Sequence, residues 1–101
     1  MNPQQARRAA AEREYRTFRH AYLGDHPVCQ VCGLALAEMI HHRRLRKQGG
    51  ALSSEVNVLA VCSPCHDHIH LNVEESRSKG HLVASDHPEW HACAQPRKAN
   101  L

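Results

Sequence analysis

Two Cys-x-x-Cys pairs and a set of histidines hold the chemistry latent in this chain. The pairs are Cys29/Cys32 and Cys62/Cys65. Two intervening residues let both sulfurs of a pair reach one ion, and four thiolates suit tetrahedral zinc. The pairs stand further apart than the roughly 15–20 residues usual between zinc-ribbon knuckles. Residues 33–61 must therefore form a hairpin or an extended loop inserted between them. Disulfides are the alternative use of the same cysteines. The N-terminus is polar and lacks the apolar run of a secretion signal, so a reducing cytosol is expected and zinc is favoured there. Cys93 lies outside the pattern and reads as a spare thiol on a tail, with His87 and His91 nearby.

His66 and His70 are four residues apart on an expected helix, so both rings lie on one face and can hold one metal. His68 then faces solvent. Four cysteines already fill a structural zinc site, so these histidines predict a second metal site with open positions. His41 and His42 are adjacent. Neighbouring strand residues face opposite ways, and at a strand-to-loop junction one can bind metal while the other faces a substrate. That pair of tasks suits phosphodiester hydrolysis. The metal stabilises charge on the phosphate and its leaving oxygen, and a neutral imidazole, with an ordinary pKa of about 6.5, takes a proton from water. Each residue also has an ordinary use. His66 could cap its helix, Asn57 could be a turn residue, and His41-His42 could be exposed polar positions. Their joint occurrence carries the catalytic reading.

These residues need elements to position them. Residues 3–23 read as a helix: Pro3 suits an early helical position, and Ala11, Tyr15, Phe18 and Tyr22 share one face. That stripe reads as packing. Gly24 to Pro27 ends the helix. Residues 35–42 read as a strand, residues 43–54 as a basic loop broken at Gly49-Gly50, and residues 56–61 as a second strand. A helix is expected from about His66 to Lys79, stopped by Gly80, and residues 81–84 read as a short closing strand. The division is then a basic helix over 1–24, a metal-binding domain over 25–84 and a loosely held tail over 85–101. The fold class is a small, zinc-stabilised α+β domain with an N-terminal helix.

Size and charge narrow the function. A chain of 101 residues with 4% aromatics builds a thin core, and bound zinc can supply folding free energy on the order of 10 kcal/mol. A dinucleotide-binding α/β domain would not fit, and no apolar run approaches the ~18 residues of a membrane span. Net charge is +3, but residues 1–50 hold nine Lys/Arg against four acids. The basic residues cluster at Arg7, Arg8, Arg13, Arg16 and Arg19, and again at Arg43, Arg44, Arg46 and Lys47. Such clusters suit a polyanion, most simply nucleic acid, although exposed charge alone would explain the first. The second directly follows His42 and would grip phosphates beside a scissile bond. Phosphate contacts position a duplex without reading bases, so weak sequence preference is expected.

The order His41-His42, Asn57, then Cys62-Ser-Pro-Cys65-His66 with His70 resembles the HNH endonucleases, the His-Me or ββα-metal finger nucleases. The resemblance runs over about residues 28–84. Spacings from His42 to Asn57, His66 and His70 are similar to those of colicin-type DNases. The added knuckles and the closing Gly80-His-Leu-Val are similar to small stand-alone phage and prophage proteins of that family. The resemblance implies a ββα-metal finger that enters the minor groove and cuts DNA to 5′-phosphate and 3′-hydroxyl ends. It implies His42 as the general base, with His41, His66 and His70 holding one catalytic divalent metal. His41 and His42 could exchange these roles. It implies that Asn57 bonds backbone and fixes the loop carrying His42. Many members have Asp where His41 stands, so magnesium, manganese, nickel and zinc all remain candidates for the softer site here.

The resulting expectation is a metal-dependent DNA endonuclease acting as a monomer on double-stranded DNA. It would carry one structural zinc and one catalytic metal, and work in the cytoplasm of a bacterial host with no membrane partner. The likeness to phage proteins suggests genome packaging beside a terminase; restriction, homing and repair are the other roles. The competing reading is a non-catalytic zinc-finger DNA-binding module, with one zinc and no task for His42. A secreted toxin-like DNase is disfavoured, because translocation and receptor domains would be needed.

Overall fold

The computed structural model describes residues 1–96. Helix α1 spans Pro3–Asp25. It starts where Asn2 Oδ1 accepts from the Gln5 backbone N–H at 2.8 Å and Gln5 Oε1 accepts from the Asn2 N–H at 3.0 Å. This reciprocal cap satisfies two donors that the first turn would otherwise leave open. The helix passes through Gly24 and stops before Pro27. The expected stripe is buried progressively along it. Ala11 is exposed, Tyr15 and Phe18 are half-buried, and Tyr22 is buried, with its hydroxyl donating to Gln30 Oε1 at 2.9 Å. All five α1 arginines are exposed.

Strands β1, Met39–His42, and β2, Val58–Val61, form an antiparallel pair with register Met39↔Val61, Ile40↔Ala60, His41↔Leu59 and His42↔Val58. Residues opposite one another in such a pair point to the same side. The pair therefore has two faces with separate cores. Ile40, Val58 and Ala60 pack with Tyr22 and Phe18 of α1. Met39, Leu59 and Val61 pack with Cys29, Cys62, Ile69 and Leu82 on the other side. Both strands are shorter than expected. Residues 35–38 are largely irregular, with a single bridge between Val28 and Leu36, and residues 55–57 form a turn.

Helix α2, Ser63–Leu71, begins inside the second knuckle, with Cys62 as its cap and Pro64 in its first turn, three residues earlier than the sequence suggests. The single helix expected from His66 to Lys79 is two. Asn72 breaks it: its Nδ2 and its backbone N–H both donate to the His68 carbonyl, at 2.9 and 3.0 Å. Such side-chain bonding competes with helix continuation. Helix α3, Val73–Ser78, follows and is tied back to α2 by the buried Ser76, whose Oγ donates to the Ile69 carbonyl at 2.9 Å. The order β1, β2, α2 is the expected ββα arrangement in a small α+β fold.

Residues 81–84 form no strand. Leu82 and Val83 are buried, and Val83 N–H donates to the Arg43 carbonyl. Residues 85–96 do not lie loose. Cys93 is 0% exposed, Ala51 N–H donates to the Cys93 carbonyl, and Gln95 N–H donates to the Gly49 carbonyl. Cys93 is thus a packing residue on a docked segment rather than a spare tail thiol. A short tail can dock here because Arg43, Arg44 and the 49–51 backbone offer it polar partners. Residues 97–101 of the expected tail lie outside the described residues. Among the described residues no helix is long and apolar enough to cross a membrane.

Candidate metal centres and active site

The first knuckle is a tight turn. Cys29 N–H donates to the Ala35 carbonyl, and Gly33 N–H donates to the Cys29 carbonyl. The second knuckle is the start of α2, which descends directly from β2. The hairpin β1–β2 is the insertion that the long knuckle spacing requires. Folding brings Cys29, Cys32, Cys62 and Cys65 together with all four sulfurs within 4.8 Å of one another. Cys32 Sγ and Cys62 Sγ are 3.9 Å apart. Tetrahedral zinc at about 2.3 Å from each sulfur sets edges of about 3.8 Å, so the cluster fits zinc. The cysteines are free thiols, not disulfides. Burial would raise the Cys29 pKa, but the surrounding backbone N–H groups outweigh it and hold the thiol low. Burial and the three neighbouring thiols push Cys65 up. A cation is what would let all four ionise together.

The second cluster lies on the α2 side of the hairpin. His66 and His70 sit one turn apart on α2, with their Nε2 atoms 3.2 Å apart. His41 points to the same place from β1. Its ring centroid is 5.5 Å from that of His66 and 5.4 Å from that of His70. One ring nitrogen from each of the three lies within 4.8 Å of the others. Two imidazole nitrogens on a metal at about 2.0–2.1 Å are separated by about 3.4 Å in tetrahedral geometry, close to the His66–His70 separation. Three protein ligands leave an open position, as in catalytic rather than structural sites. His41 is 1% exposed, and its Nε2 lies 2.6 Å from the His81 carbonyl. A carbonyl only accepts, so Nε2 carries the hydrogen and Nδ1 keeps the lone pair. Burial pushes the His41 pKa down to about 4, against the His81 carbonyl, which raises it; the ring is neutral, as a ligand must be.

His42, the next residue, faces the other way. Its ring centroid is 5.7 Å from that of Tyr15 on α1. Its Nε2 lies 3.0 Å from the Leu52 carbonyl, which again leaves Nδ1 with the lone pair. Burial lowers its pKa; the Leu52 carbonyl opposes that shift and the charge of Arg46 adds to it. A neutral, oriented imidazole results. A cleft of about 420 Å³ opens between α1 and the 49–54 loop, lined by Glu14, Arg46, Leu52, Ser53 and Ser54 among others; His42 does not line it.

Asn57 is fully buried and cross-links the loop after His42. Its Oδ1 accepts from Arg44 N–H at 2.7 Å, and its Nδ2 donates to the carbonyls of Arg44 at 3.1 Å and Ala51 at 2.8 Å. Gly50 must be glycine, because a Cβ there would lie 1.7 Å from the Arg44 carbonyl oxygen. His68 is on the opposite face of α2, paired with Glu75 at 3.1 Å.

Residues 29–71 match the family model described as HNH endonuclease. The match covers 43 of the 101 residues. Searches of curated proteins and of solved structures gave no match. The matched span begins at Cys29 and ends at Leu71, the last residue of α2, so it contains both clusters, His42 and Asn57. Helix α1, helix α3 and the docked C-terminal segment lie outside it.

The basic residues after His42 divide into two pairs, although all four read from sequence as phosphate contacts. Arg43 donates to the carbonyls of Gly80 and Val56 and to Glu89. Arg44 donates to the carbonyls of Gln48 and Trp90, and its guanidinium lies 3.7 Å over the Trp90 ring. Both are engaged within the fold. Arg46 and Lys47, on a 3-10 turn over Arg46–Gln48, are exposed. Three contributors escaped the sequence reading: Tyr15, and the carbonyls of His81 and Leu52. Tyr15 stood on a recognisable helix face, but carbonyl partners leave no mark in residue identity.

Proposed function

We propose that the chain is a metal-dependent DNA endonuclease whose general base is His42, with His41, His66 and His70 holding one divalent metal. The opposite facing of His41 and His42 carries this reading: one is among the α2 histidines and the other is free of them. A divalent ion held by the three histidines would neutralise charge on the scissile phosphate and its leaving oxygen. His42 Nδ1 accepts the proton of the attacking water, while the Leu52 carbonyl keeps Nε2 protonated and the ring oriented. Asn57 supports the step by holding the loop whose ends flank the His42 ring. Arg46 and Lys47 contact the phosphates beside the site, and weak sequence preference follows from backbone contacts. Magnesium, manganese, nickel and zinc are the metals to compare. The four cysteines hold a structural zinc.

The test is plasmid nicking by wild type and His42→Ala with each metal and an EDTA control. Wild type converts supercoiled plasmid to nicked or linear forms with a divalent metal, and His42→Ala retains the metal content of wild type but does not cut. Binding of DNA without cutting by either protein, with every metal, would instead favour the zinc-finger binding module. The phage reading adds a terminase partner in the bacterial cytoplasm and rests on the sequence resemblance alone; co-purification with a co-expressed terminase large subunit tests it.

A further inference from the structure

We propose that Arg43 is a positioning residue for the metal ligand His41, because it anchors the turn whose His81 carbonyl orients the His41 ring. The proposal rests on the reading of His41 as a ligand.

His66 and His70 are held in mutual register by the helix that carries them. His41 comes from a different element, and its ring must be aimed separately. The group that aims it is the His81 carbonyl, 2.6 Å from His41 Nε2. That carbonyl belongs to an irregular turn after α3, with no strand or helix of its own to fix it. One side of the turn is tied to α3, since His81 and Leu82 N–H both donate to the Ser76 carbonyl. The other side is tied to Arg43. Arg43 Nε donates to the Gly80 carbonyl at 2.7 Å, and the Arg43 carbonyl accepts from Val83 N–H at 3.1 Å. Arg43 therefore grips the residue just before His81 with its side chain and the second residue after it with its backbone.

The geometry of the grip is specific to a guanidinium. Nη1 donates to the Val56 carbonyl at 2.8 Å and Nη2 to Glu89 Oε1 at 2.8 Å, so all three nitrogens of the planar fork are engaged. The side chain is only 12% exposed. Gly80 has φ +77°, and a Cβ there would lie 3.4 Å from Arg43 Nη2, so the fork lies beside the turn backbone. A lysine ammonium is a point donor without the planar fork and cannot hold the Gly80, Val56 and Glu89 oxygens in this geometry. Because Arg43 lies two residues beyond His41, the ligand and its orienting carbonyl are tied to one strand end. Loss of a ligand's own hydrogen-bond partner typically changes metal affinity by roughly 10–100-fold, and that sets the upper bound for Arg43, which acts on His41 through the His81 carbonyl.

The test is a cobalt(II) titration of the whole chain, with affinities set by chelator competition. Cobalt on the four cysteines gives an intense thiolate-to-metal charge-transfer band in the near ultraviolet. Cobalt on the three histidines gives only weak visible bands. Wild type binds two cobalt ions. Arg43→Lys is expected to keep the charge-transfer band at full amplitude and to bind the second cobalt more weakly, by about 10-fold and at most about 100-fold. Arg43→Ala does the same or worse; if it fails to fold, Arg43→Lys still decides. Unchanged affinity for the second cobalt in Arg43→Lys overturns the proposal. So does a parallel loss at both sites, which would mark Arg43 as merely structural. One cobalt per wild-type chain, or a second cobalt that survives His66→Ala/His70→Ala, overturns the ligand reading itself and the proposal with it.

Discussion

Replacing Asn57 by alanine tests the structural core of the site. The amide makes three hydrogen bonds to backbone groups: Arg44 N–H, the Arg44 carbonyl and the Ala51 carbonyl. Asn57 is 0% exposed, so its truncation leaves these three backbone groups buried without their partner. At roughly 1 kcal/mol net for each lost bond, the cost is about 3 kcal/mol. For a domain of this size that lowers Tm by roughly 12–24 °C, at about 4–8 °C for each kcal/mol. The assay is thermal unfolding by circular dichroism at fixed free zinc, because bound metal shifts apparent stability by mass action. Asn57→Asp should not rescue it. The carboxylate would keep the bond from Arg44 N–H but set a negative charge against two carbonyl oxygens. At a temperature where Asn57→Ala is fully folded, nicking should still fall on the order of 10–100-fold, because the Leu52 carbonyl adjoining Ala51 orients His42 and small misplacements are costly. A Tm within a few degrees of wild type, or unimpaired cutting by the folded variant, would refute the assignment of Asn57 as the cross-link of this loop.

Three other outcomes are expected. Stripping zinc with a strong chelator, or replacing Cys62 by serine, should abolish cooperative unfolding, since Cys29 and Cys62 are also core residues and the aromatic content is small; a chelated protein with an unchanged melting transition would contradict this. Arg46→Ala and Lys47→Ala should each reduce the slope of log affinity against log salt for duplex DNA by about 1 without changing stability; unchanged slopes would remove the 3-10 turn from the phosphate interface. Trp90→Ala removes a ring stacked under the Arg44 guanidinium and should cost about 1–2 kcal/mol in denaturant unfolding; no measurable loss would mean that the C-terminal segment contributes little to holding Arg44.

What the sequence determined by itself is the set of candidate ligands and its coarse order. The two knuckles, His66 with His70 at helical spacing, and the adjacent His41 and His42 were legible because ligand geometry constrains spacing along the chain. The α1 face was legible because a helix repeats its contacts at 3.6 residues. Folding decided what adjacency could not. His41 and His42 part company because β1 has period two and each face of the hairpin packs on a different helix. Arg43 and Arg44 look like Arg46 and Lys47 in the sequence. Only the first two meet carbonyls, a carboxylate and an indole brought in from 37–46 residues away, so burial and partners, not charge, separate structural from exposed arginines. The helix break at Asn72 and the docking of residues 85–96 were hidden for the same reason. Both depend on backbone carbonyls, which every residue possesses and which acquire a role only when tertiary structure sets a donor opposite them.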